Sequence, residues 1–61
     1  MTTQEQIAMR RDVAEACRDF ARKIRLARAT ASSVLLDREK SEIASAALHA
    51  DAAASLIFDN P

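Results

Sequence analysis

The chain has 61 residues, with nine basic and nine acidic side chains, so its formal net charge at neutral pH is zero. A chain this short forms one domain and buries only about 60% of the surface that its unfolded form exposes, which leaves a monomer marginally stable. Disulfides, a structural metal or oligomerisation usually supplement such a small core. Cys17 is the only cysteine and His49 the only histidine, which excludes an internal disulfide and gives no ligand spacing suited to zinc. Oligomerisation is therefore the expected supplement.

The composition predicts an all-α protein. Glycine is absent, and the only proline is the last residue, Pro61, so the residues that usually form turns and end strands are missing. Alanine supplies most of the apolar fraction, and it favours helices while filling little volume. The least polar stretch, residues 43–58, is shorter than the ~20 residues that a membrane span requires. We therefore expect a single domain over residues 1–61 with no membrane partner and a cytoplasmic location.

The first helix is predicted over about residues 3–35. Thr2 with Glu5, and Thr3 with Gln6, both fit a capping box, in which side chains satisfy free backbone groups at a helix start. Apolar residues then recur alternately at four- and three-residue spacing, which is typical of a bundle-forming helix. These residues are Val13, Cys17, Phe20, Ile24, Ala27, Ala31 and Val34. Cys17 is interpreted as a small buried hydrophobe within this series.

Charged residues cluster at about residues 36–40, where we place the turn. The second helix is predicted over about residues 41–58, and either Asp37 or Ser41 could cap it. It is apolar nearly all round, which is typical of a helix buried on more than one side. We therefore predict that it lies at the centre of an oligomer. The predicted interface residues are Ile43, Ala47, Leu48, Ala50, Ala54, Leu56 and Ile57.

Residues 1–30 hold seven basic and four acidic side chains, whereas residues 31–61 hold two basic and five acidic side chains. These opposite net charges favour an antiparallel pairing of the two helices. The predicted fold is thus an antiparallel two-helix hairpin that assembles into a homo-oligomeric bundle of four or more helices.

Four arginines fall on one side of the first helix at 100° per residue: Arg11, Arg18, Arg22 and Arg25. Together with Arg38 in the turn, they are candidate ligands for phosphate, because a guanidinium group binds phosphate oxygens bidentately. The alternative is an ordinary charged face, since Glu15 and Asp19 stand three or four residues from several of these arginines and support the helix itself. The residues alone favour the second interpretation.

No catalytic residue, metal ligand or cofactor site is predicted. His49 has no candidate nucleophile beside it in sequence, and no glycine-rich loop exists to hold phosphate. The sequence therefore predicts a protein that is not an enzyme.

Two families of small helical hairpins resemble this chain. Plasmid Rop-type proteins, which are RNA-binding four-helix dimers, have a similar length and an N-terminus similar to residues 1–9, MTTQEQIAM. That resemblance implies RNA-facing positions at Arg10, Arg18 and Arg25. The hairpin of phage-encoded cyclic-oligonucleotide sponges is similar at residues 38–41, REKS, with Ser45 and Ala50. Both resemblances imply a binding protein built from paired hairpins.

From these patterns we expect a small regulatory or inhibitory binding protein, of the kind that phages and plasmids encode. We expect it to associate with itself and to bind a host protein as its main partner. Sequestration of a small ligand is another expected mode of action. The alternative is an RNA- or DNA-binding regulator that uses the arginines of the first helix.

Overall fold

The computed structural model describes residues 2–60 and consists of two helices, α1 (Thr3–Thr30) and α2 (Asp37–Asp59). The helices pack along their length as an antiparallel hairpin that measures 48 × 15 × 14 Å. The predicted all-α hairpin is therefore confirmed, and residues 2–60 contain no strand. Met1 and Pro61, the two ends of the predicted domain, lie outside the described residues.

The start of α1 follows the first of the two predicted capping boxes. The Thr2 side-chain oxygen accepts a hydrogen bond from the backbone N–H of Glu5 at 3.2 Å, and the Thr2 N–H donates to the Glu5 carboxylate at 3.3 Å. Two backbone N–H groups at the helix start thus obtain side-chain partners.

The connection between the helices covers residues 31–36, so the predicted bounds of 3–35 and 41–58 are wrong at this end of the hairpin. The chain leaves α1 where hydroxyl side chains accumulate, and the Thr30 hydroxyl donates to the Leu26 carbonyl at 2.9 Å. Such local bonds compete with a regular helix. Beyond this point, the N–H groups of Val34 and Leu35 both donate to the Ala31 carbonyl and close the turn.

The charged residues that we assigned to the turn form the first turn of α2 instead. The N–H of Leu36 donates to the Glu39 carboxylate at 2.8 Å, which satisfies one of the free donors at the helix start. Asp37 and Glu39 both lie in this first turn, where negative charge is favoured by the helix dipole. Their positions explain why α2 begins at Asp37 rather than at Ser41.

The fully buried part of the contact between the helices is made of alanine. Its only fully buried side chains, among residues 2–60, are two alanines from each helix, each pair spaced by seven residues: Ala14, Ala21, Ala47 and Ala54. We call these four residues the pairing seam. A heptad spacing keeps such residues on one side of a helix, and small side chains let two helix backbones approach closely.

Every second residue of the predicted contact series of α1 is wrong. The residue that faces α2 lies one position later in the sequence. Val13, Phe20 and Val34 are 54%, 51% and 78% exposed, and Ala27 is exposed as well. The alanines at positions 14 and 21 are buried in their place, because a phenylalanine or valine there would hold the two backbones apart. Cys17 and Ile24 fit both series and are half-buried, so Cys17 is not the fully buried side chain that we expected.

The contact series of α2 faces α1. Ala47 and Ala54 are buried, while Ile43, Ala50 and Ile57 are half-buried. Leu48 and Leu56, which complete the predicted interface, are 64% and 67% exposed. The hairpin thus buries one side of α2 and leaves these two leucines in solvent.

Candidate interaction surfaces

Two helices lying side by side leave two broad faces, and here the two faces differ in chemistry. Phe20 and Arg18 are two residues apart in α1, and two residues of a helix are separated by about 200° of rotation. Phe20 therefore lies on one broad face of the hairpin and Arg18 on the other. We call the first the apolar face and the second the basic face.

The apolar face joins residues of both helices. Val13, Phe20 and Ala27 of α1 stand on it at seven-residue spacing, and Ile43 and Ala46 of α2 lie across from them. An open groove of about 340 Å³ runs between the helices on this face. The residues that line it are Phe20, Ile24, Ala27, Arg28, Ala31, Leu35, Ile43 and Ala46.

Arg28 is the only charged residue of this groove, and one of its N–H groups is already engaged. The Nε group of Arg28 donates to the backbone carbonyl of Lys40 at 2.9 Å, in a partly buried position. This bond ties α1 to the first turn of α2 near the connection. The groove therefore offers an almost entirely apolar lining.

A second arginine, Arg10, connects the two helices at the opposite end of the hairpin. A terminal amino group of Arg10 donates to the backbone carbonyl of Asn60 at 3.1 Å. Sequence reasoning overlooked this structural role of Arg10 and did not single out Arg28 at all. A usable signal for Arg28 was its place seven residues after Ala21, in the same heptad series as Ala14.

The basic face carries Arg11, Arg18, Arg22 and Arg25 of α1, the arginines that the sequence predicted to share one side. Arg25 forms an ion pair with Asp51 of α2 at 2.6 Å, and both side chains are partly exposed. This bond crosses the hairpin and agrees with the opposite charges of the two chain halves. Arg25 is accordingly engaged within the fold.

Arg22 is engaged in a shared ion pair on α1. Asp19 accepts from Arg22 and, at 2.9 Å, from Lys23. The hydrogen bonds from Lys23 and then Arg22 lower the pKa of the Asp19 carboxyl below its ordinary value. The predicted support of the helix by neighbouring charges is present at this position.

Arg18 lies over an aromatic ring instead of beside a carboxylate. Its guanidinium carbon is 4.5 Å from the centre of the Phe58 ring, a distance suited to a cation–π interaction. Phe58 is 37% exposed, and a hollow of about 250 Å³ adjoins it, lined also by Arg10 and Arg11. Within residues 2–60, neither Arg11 nor Arg18 forms an ion pair.

Arg38 lies apart from the other candidate phosphate ligands. It is exposed and precedes the buried Ala47 by nine residues, which is about two and a half helical turns. Arg38 therefore points away from the side of α2 that contacts α1. Arg11, Arg18, Arg22 and Arg25 therefore share one side of α1, and Arg38 lies outside the group.

The remaining chemistry of the chain is sparse. Across residues 2–60, no group of three or more histidine, cysteine, aspartate or glutamate side chains is placed to hold a metal ion. His49 is exposed on α2. Neither helix combines the length and apolar character that a membrane crossing needs.

No protein-family model matches the chain, and comparison with curated proteins and with solved structures gave no match. The resemblances to Rop-type proteins and to phage sponges therefore stay predictions from short stretches of sequence.

Proposed function

We propose that this chain is a small non-enzymatic regulatory protein, which associates with itself and acts by binding a protein partner. The observation that carries this proposal is the distribution of apolar side chains. Among residues 2–60, every fully buried residue is an alanine, whereas Phe20, Leu26 and Leu48 are more than half exposed. Exposed apolar surface of this kind is typical of a protein that buries it against another protein.

The total surface supports the same interpretation. The hairpin exposes 4754 Å², whereas a compact monomer of 6.7 kDa exposes about 3,900 Å². The hairpin buries only about half of the surface of the unfolded chain. Association would lower this exposed area and supply the stability that the alanine contact lacks.

Native mass spectrometry with an ultraviolet spectrum tests the proposal. We expect a multimer of the 6.7 kDa chain that carries no bound nucleotide. The chain has no tryptophan or tyrosine, so strong near-ultraviolet absorbance must come from a bound molecule. A monomer at every concentration would contradict self-association, and a multimer that carries nucleotide or nucleic acid would favour the second candidate function.

That second candidate is RNA or DNA binding by the basic face. Arg11 and Arg18 lie beside the partly exposed Phe58 ring and are free of ion pairs with the described residues. Proteins that bind single-stranded nucleic acids combine arginine with exposed aromatic rings, because arginine contacts the phosphates and the bases stack on the rings.

Arg18→Glu tests this candidate against Arg38→Glu, which makes the same charge change at an exposed position outside the basic face. We expect Arg18→Glu to weaken binding of a single-stranded RNA by at least about 10-fold at constant salt. Arg38→Glu should change the affinity much less. Equal effects of the two variants, with helicity retained in circular dichroism, would contradict a specific basic-face site.

A further inference from the structure

We infer that the apolar face is the interface of a symmetric homodimer, in which two hairpins form a four-helix bundle with Phe20 near its centre. The inference rests on the proposed self-association and deepens it, because it names the surface and the occupant. The proposed interface differs from the predicted one, which lay on α2 alone, because it lies on a face that both helices share.

The first argument is the width of the apolar stripe on α1. One side of α1 meets α2 through Ala14 and Ala21, and the adjacent positions Val13, Phe20 and Ala27 continue the apolar character around the helix. A helix that contacts a single neighbour needs only one narrow stripe, whereas a helix in a four-helix bundle contacts two neighbours. The hairpin supplies α1 with one of these two neighbours.

The second argument is the amount of surface. The hairpin exposes about 850 Å² more than a compact monomer of its mass. A stable interface of standard size buries about 800 Å² on each partner. One interface of standard size therefore matches the excess of the whole chain, and the exposed parts of Val13 and Phe20 place some of it on this face.

The third argument is that the face is complementary to itself. Phe20 protrudes with half of its surface exposed, and the 340 Å³ groove lies directly beside it. A two-fold interface requires that one surface carry both the protruding groups and the space that receives them. Phe20 also lies about one helical turn from the middle of α1, so it stays inside the contact whether the copies run parallel or antiparallel.

The fourth argument is that the groove offers few polar groups to orient a small molecule in place of a second copy. Small-molecule sites combine an apolar lining with a few free polar groups that orient the ligand. Arg28 is the only charged group of this groove and donates its Nε hydrogen to the Lys40 carbonyl, so the groove offers the terminal amino groups of one guanidinium and not several convergent polar groups. The chain has a formal net charge of zero, so no long-range repulsion opposes the approach of a second copy.

Ala27→Glu and Ala29→Glu form a matched pair that tests the inference. Both alanines are exposed and lie in the last turn of α1, so the substitutions weaken the isolated helix similarly. The two positions are separated by about 200° of rotation. Ala27 lies on the apolar face, and Ala29 does not.

We expect wild-type protein and Ala29→Glu to have twice the chain mass of 6.7 kDa in sedimentation equilibrium. Ala27→Glu should raise the dimer dissociation constant on the order of 100-fold, because it buries an unpaired charge in the interface. Ala46→Glu places the same charge on the α2 side of the groove and should act alike. Melting temperatures that rise with concentration for wild type, but not for Ala27→Glu, would support the inference if the variant also loses helicity.

The outcomes separate the inference from the proposed function. A dimeric wild type whose mass and dissociation constant are unchanged by Ala27→Glu would overturn the apolar-face interface and leave self-association standing. Equal dissociation of Ala27→Glu and Ala29→Glu would also overturn it. A monomeric wild type would overturn both proposals.

Discussion

The pairing seam and the apolar face are adjacent on α1, yet they treat apolar side chains in opposite ways. Ala14 and Ala21 of the seam are fully buried, while Val13 and Phe20, one position earlier in each heptad, are about half exposed. Larger side chains would bury more area, and burial stabilises by about 25 cal/mol per Å² of apolar surface. The seam thus holds the helices close, whereas Val13 and Phe20, which would gain stability from burial, lie on the face that remains open.

The largest expected effect comes from a charge in the seam. Ala47 is fully buried, so Ala47→Glu leaves a carboxylate unpaired between the helices and should cost about 3–5 kcal/mol. Folded proteins are stable by only about 0.05–0.15 kcal/mol per residue, which is about 3–9 kcal/mol for 61 residues, so we expect the variant to be largely unfolded in circular dichroism. Ala52→Glu makes the same change at an exposed position of α2 and should retain the helical spectrum. A folded Ala47→Glu would contradict the seam.

Phe20→Ala tests whether the apolar face is buried when the chain assembles. Full burial of a phenylalanine side chain stabilises by about 1.5–3 kcal/mol, and half of the Phe20 surface is still exposed in the hairpin. We expect the variant to lose about 1 kcal/mol per chain at concentrations where the wild type is assembled. The difference should shrink on dilution, as measured by thermal melts over a range of concentrations. A loss independent of concentration would assign Phe20 to the hairpin alone.

Arg28→Met tests a hydrogen bond at the position where the pairing seam meets the apolar face. The substitution keeps an apolar stem but removes the hydrogen bond from Nε to the Lys40 carbonyl, and one such bond contributes about 1 kcal/mol. We expect a lower urea midpoint for Arg28→Met. Arg38→Met, at an exposed position of α2, should leave the midpoint nearly unchanged. Similar midpoints for the two variants would show that the bond to Lys40 adds nothing.

The smallest expected change in stability comes from substitution of Asp19, on the solvent side of α1. Its folded pKa lies below the unfolded value of 3.8 because Lys23 and Arg22 hydrogen-bond to the carboxylate. The ion pair therefore stabilises the fold fully at pH values well above 3.8, and this contribution is lost as the pH falls through the lowered folded pKa. Asp19→Asn should melt slightly below wild type at neutral pH, and the gap should close in acid.

Asp12→Asn is the control for that measurement, since Asp12 is exposed on the same helix and forms no ion pair with residues 2–60. A gap that persists in acid would mean that the Asp19 ion pair is not its source.

The sequence predicted the two helices, their antiparallel contact, the Thr2 capping box and the shared side of the four arginines. It did not predict which apolar stripe of α1 meets α2, because positions 13, 20 and 27 and positions 14, 21 and 28 are both heptad series. Hydrophobic size favoured Val13 and Phe20, whereas the close approach of two alanine-lined helices selected Ala14 and Ala21. The alanines at 47 and 54, with the same spacing, were the signal that could have decided the choice.

The sequence also did not predict the contacts between arginines and partners that are distant in the chain. Arg10 and Arg28 donate to backbone carbonyls 50 and 12 residues away, and a backbone carbonyl leaves no mark in a sequence pattern. The turn was misplaced for a related reason. Charged residues in a short stretch suit both a solvated turn and a helix start, and the bond from Leu36 to Glu39 selects the second.

The most direct test of the central claim is an isotope-filtered NMR experiment on a mixture of labelled and unlabelled chains. This measurement reports only contacts between copies. The apolar-face dimer predicts nuclear Overhauser effects between the Phe20 ring of one copy and apolar-face residues of the other, such as Ala27 and Ile43. Intermolecular effects confined to Leu48 and Phe58, on other surfaces of the hairpin, or none at all in a concentrated sample, would contradict it.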